Sequence, residues 1–335
     1  MPPNTRFSSY IKPGLLEELP FDLKREILEI TAYVHPPFAP RLALVSKEVK
    51  TWAERIIYRE LFFDAHHNVY QREYSTPTPL EKFQVAISAR PASFFAEYVR
   101  SLHFVGRSSP SQILPIIHAC SGVTNFGLYA TWDAEYSSRG WVSDDDDEDE
   151  DREQLAWNHP RAQVYQAIHA LKSLDTLFIS GSHIPALLKQ LPADTSTSSL
   201  TTLSRLGLTD AHEYPAEHFP ALTHLALLPE AEGRVIPSVA AALEKSNPRI
   251  KSIIAMLNYA NTPRETATLQ ALRDVRATDE RLVLFTMPVS ATRYIEDDLW
   301  DLANEFPDED QPITFLEEIP GPRILSFQEL MALGL

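Results

Sequence analysis

Residues 99–104 read VRSLHF, and the same apolar-x-x-apolar-x-apolar spacing returns at 123–128 (VTNFGL), 174–179 (LDTLFI), 203–208 (LSRLGL), 222–227 (LTHLAL) and, loosely, 250–255 (IKSIIA). Residues 282–286 form a weaker seventh strand. The starts are 24, 51, 29, 19 and 28 residues apart. In a strand, residues i and i+2 share a face, so Leu177 and Ile179 point inward together and Leu174 turns in from the preceding loop. Apolar helical segments fill the intervals at 111–119, 161–171, 184–191, 238–245 and 264–275. One such strand-plus-helix unit cannot bury its apolar face, whereas neighbours stacked as parallel strands can.

Strand plus helix at a period of roughly 20–29 residues resembles a leucine-rich repeat. The fold class expected is therefore α/β, a curved solenoid with a parallel sheet over 99–310. The usual ladder asparagine is missing. Its positions hold Arg107, Thr131, Ser182, Ala211, Glu230 and Asn258, which makes the repeats degenerate. The step of 51 is one repeat plus an insert, or two repeats. Outward-facing positions on the concave surface are His103, Asn125, Tyr129, Phe178, Arg205, His224, Leu228, Ile254 and Met256. Phe178, Leu228, Ile254 and Met256 are too apolar to be left wet without reason. Either Tyr129, Phe178, Arg205, Leu228, Ile254 and Met256 form a substrate-binding face, or the C-terminal segment 311–335 folds across them.

Upstream lie a tail at 1–14, a compact block at 15–63, and a linker with two capping helices at 64–98. The block's first helix spans Phe21 to Tyr33, with Leu23, Ile27 and Ile30 on one stripe. Pro36 and Pro37 end it. A short second helix carries Leu42, Leu44 and Val45. The third starts near Ser46, which caps it, with Glu48 in its first turn. Helices at 80–90 and 92–98 flank Pro91. Fifty residues make a marginal bundle, and the block is more apolar than it can bury internally.

The block resembles an F-box. Leu19-Pro20, Leu23, Glu26, Ile27 and Leu28 match the family's LP-x-x-L/E-I-L opening. Leu42, Leu44, Val45, Ser46, Lys47 and Trp52 match its second half. Tyr58-Arg59-Glu60-Leu61-Phe62, the 36–40 loop and the stretch from Arg90-Pro91 to Leu102 are similar to F-box-like proteins of mushroom-forming fungi. The resemblance implies a substrate receptor of a cullin–RING (SCF-type) ubiquitin ligase that carries out no chemistry itself. Leu19, Pro20, Leu23, Ile27, Leu28, Leu44, Val45 and Trp52 would dock on a Skp-type adaptor, and the repeats would hold a protein substrate. Two alternatives stand beside this: those residues pack on the repeats, or the chain is a ligase-independent interaction scaffold.

The remaining composition narrows the function classes. The chain of 335 residues carries a formal charge of −16, eight units of which sit in Asp144–Asp151 (DDDDEDED). Nothing clusters Lys and Arg as duplex nucleic acid requires. The acidic run within the insert 137–156 reads as a solvated loop or as a lure for a basic partner. Ser143, with Asp146 three residues on, fits an acid-directed kinase. The lone Cys120 excludes an internal disulfide and reads as a small buried hydrophobe. The histidines lack metal-ligand spacing, Ser182-His183 is not a triad, and no G-x-S-x-G, G-x-G-x-x-G or G-K-S/T occurs. No cofactor, metal or catalytic residue is expected. No apolar run of about 18 residues, signal core or glycosylation sequon occurs, so the expected location is cytoplasmic or nuclear.

Overall fold

The structure is a computed structural model. It describes residues 19–64, 78–132, 160–192, 198–209, 216–228, 239–240, 243, 249–258, 270–275, 278–279, 281–287 and 313–314. The tail 1–14, the acidic insert 137–156 and all of 311–335 except 313–314 lie outside the described residues. The chain divides into two compact units, Met1–Arg59 together with Pro322–Leu335, and Glu60–Gly321.

The first unit is helical. Helix α1 spans Phe21–Val34, and the Pro20 carbonyl accepts from the Lys24 N–H at 3.0 Å. Asp22 sits in its first turn, where the helix dipole favours a negative charge. Pro36 and Pro37 stop it and form a 3-10 turn, Pro36–Phe38, that leads into α2 (Ala39–Leu42). Helix α3 spans Lys47–Ile57, and the Ser46 hydroxyl caps it by accepting from the Val49 N–H at 3.2 Å. The interior of this unit is made of small side chains: Ala32, Ala39, Ala43, Val49 and Ala53 are buried.

The second unit is α/β. Its described strands form one parallel sheet whose spatial order, β1 to β9, is the chain order. They are β1 (Glu60–Asp64), β2 (Ser101–Ser108), β3 (Asn125–Trp132), β4 (Thr176–Ser180), β5 (Arg205–Thr209), β6 (His224–Leu228), β7 (Ser252–Asn258), β8 (Leu282–Met287) and β9 (Ile313–Thr314). Helices α4 (Pro79–Ser88) and α5 (Ala92–Tyr98) precede β2, α6 (Pro110–Ala119) follows it, α7 (Pro160–His169) precedes β4, and α8 (Ile184–Lys189) follows β4. Capping boxes start α4 at Thr78/Glu81 and α6 at Ser109/Gln112.

Two differences from the sequence reading concern boundaries. Strand β3 pairs directly with β4, so the step of 51 residues is one repeat carrying an insert. Residues 60–63, expected at the end of the helical block, belong instead to β1, which pairs with β2 from Glu60↔Ser101. The cause is burial: Leu61 and Phe63 extend two apolar ladders that cross the sheet strand by strand. In register, the first ladder is Leu61, Leu102, Phe126, Leu177, Leu206, Leu225, Ile253 and Leu282. The second is Phe63, Phe104, Leu128, Ile179, Leu208, Leu227, Ala255 and Leu284. Every member of both is buried, as are Val99, Val123, Leu174, Leu203, Leu222 and Ile250, which open the repeated motif.

A backbone ladder replaces the missing asparagines. The Arg100 carbonyl accepts from the N–H groups of Thr124 (2.8 Å) and Asn125 (2.9 Å). The carbonyls of Thr124, Asp175, Ser204 and Thr223 each take two N–H groups from the next repeat in the same way. Hydroxyls reinforce it: Thr124 Oγ1 donates to the Arg100 carbonyl, and Thr223 Oγ1 to that of Ser204, each at 3.1 Å. Ser204 Oγ donates to Asp175 Oδ1 at 2.5 Å. This pairing satisfies backbone groups that would otherwise be buried without partners at each strand entry.

At the end of α7, buried His169 ties repeats together. Its Nε2 donates to the Leu187 carbonyl at 2.9 Å, which leaves Nδ1 to accept from the Ser198 hydroxyl at 2.8 Å. Burial lowers its pKa below the ordinary histidine value, against the opposing effect of the bond to Leu187. The folded protein therefore holds His169 neutral, and protonation favours the unfolded chain. Stability from this group is complete above about pH 6.5, the unfolded histidine value, and is lost as pH falls toward the lowered folded value. Urea unfolding should show a midpoint that drops between about pH 7 and pH 5. The drop should be shallower in His169→Gln, and equal slopes in the two proteins would contradict the assignment.

Candidate functional site

The helical unit distributes its apolar residues in an unusual way. Leu23, Ile27, Ile30 and Val34 stand at i, i+4, i+7 and i+11 of α1, one stripe about 16 Å long at 1.5 Å per residue. All four are exposed. Phe21, Tyr33, Phe38, Leu44 and Val45 are exposed as well, Leu44 at 81% and Val45 at 66%. Meanwhile four of the seven buried described positions hold alanine, beside Pro40, Val49 and Glu54, and alanines bring helices close but bury little area. Soluble domains rarely leave a contiguous apolar patch of this kind without a partner.

The sequence-predicted docking residues fall in two groups. Pro20, Leu23, Ile27, Leu44 and Val45 are exposed. Leu19, Leu28 and Trp52 are half-buried. The Trp52 ring meets that of Phe21 edge-on, with centroids 5.2 Å apart, so it packs α3 against α1. Phe21, Ile30, Tyr33, Val34 and Phe38, all exposed, lie outside the docking set that the family resemblance implies. The signal for Val34 lies in the sequence, since it is the next step of the stripe after Ile30.

The second candidate surface is the sheet face opposite the ladders. Phe178 and Ile254, read from the sequence either as part of a substrate face or as covered by another segment, are both completely buried. Tyr129 and Arg205 are half-buried. The side chains of Leu228 and Met256 lie outside the described residues. Phe62, His103, Gly127, Phe178, Gly207, Ala226 and Ile254 form one in-register row along this face. A Cβ at Gly127 would overlap the His103 ring, and one at Gly207 would overlap the Phe178 ring. The two glycines therefore let each ring lie flat over the next strand.

Among the described residues, neither Cys120 nor Ser182 is bonded to an activating base. Cys120 is buried, and burial alone pushes its thiol pKa up to about 12, so it stays protonated. Ser182 Oγ bonds to Ser180 Oγ at 2.9 Å, while His183 Nδ1 bonds to the Tyr165 hydroxyl at 2.9 Å. Among the described residues no group of three or more His, Cys, Asp or Glu is placed to hold a metal ion, and no helix is long and apolar enough to cross a membrane. No family model matches the chain, and no curated protein or solved structure matches it either.

The outward stripe and the alanine interior make opposite demands on mutation. Leu44→Ser should leave the unfolding free energy within about 0.5 kcal/mol of wild type, as for a surface site. Ala53→Leu should destabilise by about 1–3 kcal/mol through overpacking. Chemical denaturation of the two variants checks both, and a strongly destabilised Leu44→Ser would place that side chain in the interior.

Proposed function

We propose that the helical unit is an F-box-like module that docks on a Skp-type adaptor of a cullin–RING ubiquitin ligase. In this reading the sheet unit is a degenerate leucine-rich-repeat solenoid that receives a protein substrate, and the protein is a substrate receptor rather than an enzyme. One observation carries the proposal. A module of about forty described residues buries alanines and turns Leu23, Ile27, Ile30, Val34, Leu44 and Val45 outward. The F-box-like LP-x-x-L and Leu-Val-Ser-Lys matches include three of these exposed residues, Leu23, Leu44 and Val45, to which the family resemblance assigns adaptor contacts. In support of the solenoid, the sheet is parallel, each strand pairs with the next in sequence, and two apolar ladders run in register across it.

Burying a Leu or Ile side chain contributes about 1.5–3 kcal/mol, so two such anchors are worth roughly 100-fold or more in affinity. Full-length protein should co-purify with a Skp-type adaptor. Leu23→Glu with Ile27→Glu, and separately Leu19→Ala with Pro20→Ala, should abolish that association while circular dichroism stays unchanged. A wild-type chain that fails to bind the adaptor overturns the ligase reading and leaves an interaction scaffold in its place.

A further inference from the structure

Leu23, Ile27, Ile30 and Val34 step along α1 by four, three and four residues, which is the apolar spacing of a seam between two helices. On the helix this seam lies opposite buried Ala32, and its members are 43–54% exposed. The seam therefore faces away from the interior of the helical unit and is spaced to receive one further helix.

The sequence holds a candidate for that helix. Residues 322–335 read PRILSFQELMALGL. Ser326 and Glu329 have capping-box spacing, and Leu325 and Leu330 stand at the two positions of the hydrophobic staple that accompanies such a cap. Gly334 is suited to stop the helix. Phe327, Leu330 and Met331 then fall at i, i+3 and i+4, one apolar face. Arg323 and Glu329 are its only charged side chains in a chain of net charge −16, so self-repulsion does not keep it from an apolar neighbour. These same residues group with Met1–Arg59 in one compact unit, apart from the sheet unit. The segment that the sequence offered as a cover for the sheet face thus belongs with the helices.

We infer that residues 322–335 form a short amphipathic helix that docks on the α1 seam, in exchange with the open state in which the seam is exposed. The segment is tethered to its target, so weak attraction suffices. An effective concentration of about 1 mM against an intrinsic Kd of about 0.1 mM closes the seam roughly nine-tenths of the time and weakens any external partner about tenfold. The seam holds Leu23 and Ile27, which the proposed adaptor docking needs. The consequence for a ligase rests on that reading: the chain masks its own docking face until the adaptor displaces the segment. The contact between segment and seam does not rest on it.

The test places the photo-cross-linker p-benzoylphenylalanine at position 327 of the full-length chain and maps the adducts by mass spectrometry after irradiation. Adducts within residues 23–34 of the same chain are expected. Adducts confined to the sheet unit, adducts joining two chains, or none at all would overturn the contact. A second readout needs no photochemistry. Phe327→Glu with Met331→Glu should raise the fluorescence of added anilinonaphthalene sulfonate, because it uncovers the seam, and the rise should vanish when Leu23→Glu and Ile27→Glu are added. The same double variant should bind the adaptor about tenfold more tightly than wild type. Unchanged dye fluorescence, or an adaptor that binds both proteins equally well, would each overturn the masking. If the adaptor binds neither protein, the ligase reading fails, while the adducts and the dye still decide the contact.

Discussion

Register is the constraint from which the rest of this protein follows. A strand of five residues with two inward apolar side chains cannot hold itself folded. Here each interior strand gains neighbours on both sides at the same depth, so that apolar residue meets apolar residue across the sheet. A one-residue slip would turn every inward side chain outward. The paired N–H groups on the carbonyls of Arg100, Thr124, Asp175, Ser204 and Thr223 fix the starting points of β3 to β7, and with them the register. Because that lock is made mostly by backbone, it tolerates helices and loops of very different length between strands.

The two units solve the burial problem in opposite ways. In the sheet unit the large side chains go inside. Phe63, Phe83, Phe95 and Phe104 form a run of ring contacts with centroids 4.9–5.4 Å apart, where α4 and α5 meet the first strands. In the helical unit the interior is alanine and the large side chains are outside. An alanine interior supplies little hydrophobic stabilisation, so such a module gains from any partner that covers its stripe.

Much of this was legible from sequence. The hexapeptide spacing placed β2 to β7 because each strand is short, isolated by turns and carries its two inward residues at i and i+2; β8 showed only as a weaker apolar run. The Ser46 cap and the Pro36-Pro37 stop are local chemistry and read equally well. Strand β1 was hidden because residues 58–63, YRELFF, fit both the repeat spacing and the end of the helical block. Only pairing with β2 decides between them. The burial of Phe178 was not legible, since it depends on a glycine one strand away, nearly thirty positions later in the chain.

Strict neighbour-to-neighbour pairing has an evolutionary corollary. Since no strand reaches past the one beside it, the sheet has no fixed length built into its topology. A duplicated or deleted segment of one strand and its return path would meet the same ladders it left. The body could therefore grow or shrink by whole units while a row of outward side chains is edited independently, which decouples the inheritance of architecture from the inheritance of specificity.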